Sequence, residues 1–231
     1  MTQARVGITT TADRAEPLRM AAARRGLRPV LLPCITVTPA RPEHLSRFRQ
    51  AADRADWIVL TSSRPVALLW PQGDMPPIPV AAVGEATARA VERAGGTVKV
   101  TGTRGAVDLL HQLGTRIKGA RVFYPHGQLV AADITRRLEE AGARITAAVA
   151  YRTEPIGPGP DPVEGVIFGS PSAVRGWCLT RSFDDVVVAV TGATTAAAVR
   201  AAGYPYPHQP TKAGFKPALD LFAQALREKK S

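Results

Sequence analysis

The chain repeats itself. Ile58-Val59-Leu60-Thr61-Ser62, Val83-Gly84-Glu85-Ala86-Thr87-Ala88 and Gly95 return as Val166-Ile167-Phe168-Gly169-Ser170, Thr191-Gly192-Ala193-Thr194-Thr195-Ala196 and Gly203. Ser62 and Ser170, Gly84 and Gly192, Thr87 and Thr195, and Gly95 and Gly203 are each 108 residues apart, so the register survives a whole strand–helix–strand–helix unit without an insertion. A second repetition surrounds the first. Arg5-Val6-Gly7-Ile8 and Arg121-Val122-Phe123-Tyr124 open strands 116 residues apart, and Gly26 and Gly142 close the helices that follow at the same spacing. The order is A1–B1–A2–B2, and a chain built that way folds into two similar α/β domains. Spacing leaves the pairing open: sequential pairing gives two contiguous domains, interleaved pairing puts both chain ends into one.

Local signals agree with this order. Arg5–Thr9 is a predicted strand, Ala15–Gly26 an amphipathic helix ending on a glycine, and Arg28–Leu32 the next strand. Short apolar strands alternating with helices imply parallel sheets with crossover helices. Leu32–Pro39 and Ile145–Pro155 are both strand-like, both continue an A-unit strand and both end at proline, which suits two strands crossing together between domains. Gly157-Pro158-Gly159-Pro160-Asp161-Pro162 is a loop, and Pro71–Pro77 a softer one.

Composition narrows the chemistry. Apolar residues make up 45% of the 231, enough for a packed core, while aromatics are only 6%, so Ala, Val, Leu and Ile must fill it. Lys and Arg outnumber Asp and Glu by 30 to 19, a net charge of +11 that favours an acidic partner. The arginines are scattered: Arg19, Arg24, Arg25 and Arg28 are expected on one helix, and Arg136, Arg137 and Arg144 on another. No long basic run is interleaved with aromatics, so nucleic acid is not the expected partner. Cys34 and Cys178 have no ligand-spaced companions and are expected to be two buried thiols in a reducing compartment. The N-terminus has no apolar core of a signal peptide and no run of about 18 apolar residues exists, which points to a cytoplasmic protein with no membrane contact.

Dinucleotide and phosphate glycine motifs, a nucleophile elbow and metal-spaced histidines are all missing from the sequence. What stands at the carboxyl ends of the B-unit strands is small hydroxyl residues, and ligands of open α/β sheets bind at those ends. Thr61, Ser62 and Ser63 follow one strand, Ser170 and Ser172 its repeat. Gly84 to Thr87 and Gly192 to Thr195 each join a strand to a helix, where glycine admits a ligand close to the backbone, threonine can cap the helix and free N–H groups suit a carboxylate. Ordinary N-caps explain the same residues. His126 ends a predicted strand, either facing a cleft or, as the preferred reading, standing exposed in a loop. Tyr151, in the second crossing segment, either packs on its strand neighbours or offers a phenol as proton donor.

Taken together, Ala55–Ser62, Val80–Ala88, Ala141–Thr153, Val166–Val174 and Val190–Ala196 resemble the uroporphyrinogen-III synthase family in order and spacing, over essentially the whole chain. The resemblance implies an α/β protein of two flavodoxin-like, three-layer domains with parallel sheets, joined by a two-stranded β-ladder hinge. On this chain it assigns residues 1–34 with 155–231 to one domain, 40–145 to the other, and 35–39 and 146–154 to the linking strands. It implies a cofactor-free lyase acting on hydroxymethylbilane, bound between the domains, with loss of water and inversion of the terminal pyrrole through a spiro intermediate. Tyr151 matches the tyrosine that assists loss of the substrate hydroxyl; Thr61, Ser62, Gly84, Thr87, His126, Ser170, Ser172, Gly192 and Thr195 become the substrate-binding set. A monomer, supplied by hydroxymethylbilane synthase, also follows from the resemblance. Two departures stand out. The family often carries threonine–arginine–proline after its first strand, where this chain has Thr9-Thr10-Thr11, and proline–arginine–glycine after the A2 strand, where it has Pro125-His126-Gly127. Arg14 is the candidate replacement for the first arginine. The missing arginines keep a second reading open, a non-catalytic tetrapyrrole-binding or regulatory module of the same fold; a two-lobed binding protein for another anionic metabolite is the third.

Overall fold

The computed structural model describes residues 3–103, 105–128 and 131–228. Along the chain run β1 (Arg5–Ile8), α1 (Ala12–Ala23), β2 (Arg28–Leu31), β3 (Ile35–Pro39), α2 (Pro42–Asp53), β4 (Trp57–Leu60), α3 (Arg64–Leu69), β5 (Pro79–Val83), α4 (Glu85–Arg93), β6 (Thr97–Gly102) and α5 (Ala106–Leu113). After a short 3-10 turn come β7 (Arg121–Gly127), α6 (Ala131–Glu140), β8 (Arg144–Pro155), β9 (Gly165–Phe168), α7 (Pro171–Trp177), β10 (Val187–Val190), α8 (Ala193–Ala201) and α9 (Phe215–Glu228). The chain divides into two units, Met1–Val37 with Thr153–Ser231, and Thr38–Arg152.

The first unit carries a sheet in the order β10-β9-β1-β2, with every pair parallel. Its strands are short apolar runs, as strands buried on both faces must be. Alternate side chains go to opposite faces. Val6, Ile8 and Ile167 pack with α1 and α9 around Leu219 and Phe222, whereas Val166, Phe168, Val188 and Val190 pack with α7 and α8 around Trp177 and Val199. In the second unit the order is β3-β8-β7-β4-β5-β6. The pairs β4–β5, β4–β7, β5–β6 and β7–β8 are parallel. Ile58, Leu60 and Phe123 line one core with Leu69 and Trp70; Val59, Val122 and Tyr124 line another with Leu109 and Leu138.

The repeat is visible as structure. Strands β4 and β9, and helices α4 and α8, begin and end 108 residues apart. So does one bridge: Ala81 pairs with Val100 inside β6, while Ala189 pairs with His208 as an isolated bridge. The second copy of β6 shrinks to that bridge because Pro205, Pro207 and Pro210 flank it, and proline brings no N–H to a ladder. Pairing of β1 with β9 and of β7 with β4 couples A1 to B2 and A2 to B1.

A duplicated clamp holds those A–B pairs. The Arg5 amide donates to Glu164 Oε2 at 2.7 Å and the Glu164 amide to the Arg5 carbonyl at 3.0 Å. In the other unit the Arg121 amide donates to Asp56 Oδ2 at 2.8 Å and the Asp56 amide to the Arg121 carbonyl at 2.8 Å. There the guanidinium adds a fork, Nη2 to Oδ1 at 2.8 Å and Nε to Oδ2 at 3.2 Å. The side-chain bonds from Arg121, then its amide, hold the Asp56 carboxyl down to about 2 from 3.8. A carboxyl depressed on folding stabilises fully above its unfolded value and loses that contribution as pH falls through the folded one. Acid unfolding followed between pH 3.8 and about 2 should therefore be less steep for Asp56→Asn than for the wild type.

Five sequence expectations need correction. Helix α1 spans Ala12–Ala23 rather than starting at Ala15. The left-handed turn at Gly26, φ +72°, does follow it, but Arg24 caps the helix end and Arg28 lies on β2, so Arg19 alone of the four sits within the helix. Arg144 likewise opens β8 instead of lying on α6. Cys178 is exposed, because it follows the last residue of the short helix α7; Cys34 is buried, and its burial pushes the thiol up to about 12. Finally, His126 is buried within β7, not exposed in a loop.

Candidate functional site

In the second unit, β4 ends at Leu60 and hands the chain to Thr61-Ser62-Ser63 before α3 begins at Arg64-Pro65. Proline at the second helical position starts α3 without needing an N–H partner. Strands β7 and β8 bring two tyrosines to this turn. The Tyr124 hydroxyl lies 3.4 Å from Thr61 Oγ1, and the Tyr151 hydroxyl 3.3 Å from Ser62 Oγ. Tyr124 is fully buried, and that burial, more than its neighbours, raises its phenol above the ordinary value, so it stays a neutral hydrogen-bonding group. Tyr151 is half-buried. The guanidinium carbon of Arg64 lies 5.5 Å from its ring centroid, within cation–π range. Gly127 backs the same ring: a Cβ there would lie 2.7 Å from Tyr151 Cζ and 2.9 Å from its hydroxyl oxygen. His126 stacks obliquely on Tyr124 at 4.9 Å, with Nδ1 at 2.9 Å from the Gly127 carbonyl oxygen.

The turn before α4 is built differently from the sequence expectation. Gly84 itself is the N-cap, at φ +74°, a conformation that favours glycine, and its amide donates to the Gly102 carbonyl at 2.8 Å. Thr87 does not cap the helix; it is the third helical residue and 4% exposed. Glu85 occupies the first turn and pairs with Arg89 at 3.1 Å, so this terminus already has a carboxylate near its positive end.

In the first unit, Ser170 follows β9 as Ser62 follows β4, yet its hydroxyl does something else. It accepts from the Ala173 amide at 3.2 Å and caps α7. Ser172, 8% exposed, accepts from Arg175 Nη2 at 3.0 Å. Gly192 is the N-cap of α8 in extended backbone, and Thr195, 4% exposed, is again a buried third residue and no cap. The first turn of α8 holds no acidic residue, which leaves its N-terminus better suited than that of α4 to an outside anion. Thr10 sits half-buried in the bend after β1, and Arg14 is exposed on α1.

The site residues of the second unit that the structure gathers are thus Thr61, Ser62, His126 and Tyr151, with Gly84 and Thr87 at a separate strand–helix turn. Sequence reasoning missed Arg64, Tyr124 and Gly127 as parts of the cluster. A signal for Arg64 did exist: it directly follows the hydroxyl run Thr61–Ser63. Among the described residues, no group of three or more His, Cys, Asp or Glu could hold a metal ion.

The comparisons agree with this architecture. The family described as uroporphyrinogen-III synthase HemD matches residues 16–220. Of solved structures, a uroporphyrinogen-III synthetase from Helicobacter pylori matches with a TM-score of 0.68 at 15% identity, covering 98% of this chain and 100% of that one. A mutant uroporphyrinogen III synthase from the extremely thermophilic bacterium Thermus thermophilus matches with a TM-score of 0.61 at 20% identity, covering 97% of this chain and 99% of that one. At such identities the likeness is one of fold, a mixed α/β fold with parallel sheets. No curated protein sequence matches the chain.

Proposed function

The chain belongs to the uroporphyrinogen-III synthase family, and we propose that it closes hydroxymethylbilane into uroporphyrinogen III with Tyr151 as the residue that touches the reacting group. Members of this family are cyclising lyases of tetrapyrrole biosynthesis, and this chain is one of them. In the proposed sequence the phenol of Tyr151 donates a proton to the terminal hydroxymethyl oxygen, the carbon–oxygen bond breaks and water leaves. The pyrrole nitrogen lone pair follows, giving an electrophilic azafulvene. The far pyrrole attacks through its substituted carbon to form a spiro centre; reopening and reclosure leave that ring inverted, and the proton released as aromaticity returns goes back to the Tyr151 phenolate. The observation that supports Tyr151's role is its hydroxyl on a half-buried side chain, 3.3 Å from Ser62 Oγ, where either group can donate to the other. Holding the two chain ends together does much of the remaining work.

Each pyrrole of the substrate carries an acetate and a propionate, so a chain of net charge +11 suits it. We assign direct carboxylate contacts to Thr61, Ser62, Gly84, Ser170 and Gly192, which are half-buried, and a supporting role in the same turns to the buried Thr87, His126, Ser172 and Thr195. The units are read as flavodoxin-like domains: the strand orders β2-β1-β9-β10 and β8-β7-β4-β5-β6 support this, being the same order in each repeat. Domain limits of 1–34 with 155–231 and of 40–145 go with β3 and β8, hydrogen-bonded neighbours, as the linking ladder. No described helix is long and apolar enough to cross a membrane. A cytoplasmic monomer receiving hydroxymethylbilane from its synthase fits a substrate that closes on its own to the wrong isomer.

The test is turnover by protein dialysed exhaustively against a chelator. Hydroxymethylbilane should disappear faster than it closes spontaneously, at a rate that dialysis leaves unchanged; a rate that returns only when metal or cofactor is added back contradicts the cofactor-free reaction.

A further inference from the structure

Resting on the lyase reading above, we propose that Arg64 is a substrate-binding residue of the second unit, a guanidinium held on the Tyr151 ring to receive a carboxylate beside the reacting phenol. Three groups frame that ring: Ser62 at the hydroxyl, Gly127 behind it without a side chain, and Arg64 over its face. Of these Arg64 alone brings a permanent charge. The N–H donors of a guanidinium lie in its own plane and point outward from its centre, the geometry that grips a carboxylate in two places. A cation–π contact also restricts a long side chain beforehand, so less freedom is lost when the anion arrives. His126, the other basic side chain near Gly127, is buried, with Nδ1 2.9 Å from the Gly127 carbonyl oxygen.

The repeat argues that this arginine is not needed for the fold. The residue 108 positions later is Ser172, and α7 forms with serine there. A helix start of this kind therefore tolerates a small hydroxyl residue, yet the copy beside Tyr151 carries an arginine. The other copy gains a guanidinium by a separate route, from Arg175 onto Ser172 Oγ at 3.0 Å. Two unrelated positions thus bring a guanidinium to the same turn of the two repeats, which a chance surface charge does not explain and an anionic ligand does.

The test uses the full chain and two variants, Arg64→Gln and Arg64→Ser, the second being the residue its repeat already accepts. Kinetics with hydroxymethylbilane are paired with fluorescence titration of uroporphyrin III, which keeps every acetate and propionate, and coproporphyrin III, whose acetates are methyls. Loss of one charge-assisted, two-pronged contact should raise both KM and the uroporphyrin Kd about 10-fold, with kcat changed less than about 3-fold. Coproporphyrin binding changes less if an acetate is the partner and equally if a propionate is; either supports the proposal. Unchanged KM and Kd in a folded variant overturn it, as does a fall in kcat with binding intact, which would make Arg64 a support for the phenol only. Should Arg64→Gln not fold, Arg64→Ser decides. A wild-type chain that binds uroporphyrin through Arg64 but converts no hydroxymethylbilane would remove the lyase reading and leave the binding result standing.

Discussion

Tyr151→Phe is expected to lower kcat for ring closure about 100-fold and to leave KM within about 3-fold of wild type, because in the proposed mechanism the variant keeps the ring and loses the proton donor. The lower end of the usual range for general acid catalysis is expected, since the hydroxymethyl group of an electron-rich pyrrole leaves readily without help. Loss of the hydroxyl costs little in packing: the phenyl still lies against Gly127 and under Arg64, and Ser62 is half-buried and can turn to water. Steady-state kinetics with freshly made hydroxymethylbilane, corrected for spontaneous closure, separate the outcomes. Wild-type kcat in the variant removes Tyr151 from the chemistry. A rise in KM with kcat unchanged makes it a binding residue instead.

The largest structural effect is expected at Gly176, inside α7. An added Cβ would collide with the carbonyl oxygen of Cys34 and lie 2.7 Å from that of Ile156. Both atoms are backbone, and the Cys34 carbonyl already accepts the Ile156 amide at 3.0 Å, so neither can swing aside as a side chain would. Alanine is ordinarily the better helix former, by about 1 kcal/mol. Overpacking against fixed backbone costs more, about 3 kcal/mol or above. For Gly176→Ala the net is a fall in Tm of about 5 °C or more in a chain of this size. Gly169→Ala, where an added Cβ meets nothing within 4 Å, is the matched control and should stay near the wild-type Tm. Equal melting temperatures for the two variants would mean that α7 does not pack against Cys34 as described.

Much of the fold was legible because duplication writes each element twice. The 108-residue register located β4, α4, β9 and α8 without any propensity argument, and Pro39 and Pro155 marked the ends of β3 and β8. The site was only partly legible, for the same reason. Register makes Ser62 and Ser170 equivalent, but their hydroxyls part company over what lies beside them: Tyr151, from a strand 89 residues away, meets Ser62, whereas Ser170 has its own helix amide. Thr87 and Thr195 looked like caps by composition, yet glycine takes the cap in both turns and the threonines go inward. Arg64 over Tyr151, and Gly127 behind it, depend on the pairing of β7 with β8 and on where α3 starts, which no local pattern states. The Arg5–Glu164 and Arg121–Asp56 clamps, in contrast, stood in the sequence at both spacings, since Glu164 lies 108 after Asp56 and Arg121 lies 116 after Arg5. That double match fits sequential pairing equally well, so the interleaving became visible only in the sheets, where β1 pairs with β9 and β7 with β4.

Product identity separates the competing accounts. Purified chain is mixed with fresh hydroxymethylbilane, the products are oxidised to porphyrins, and type I and type III isomers are resolved over time. The account predicts type III as the main product from the earliest points, in an amount that scales with protein added. Type I alone, forming at the rate seen without protein, would contradict it.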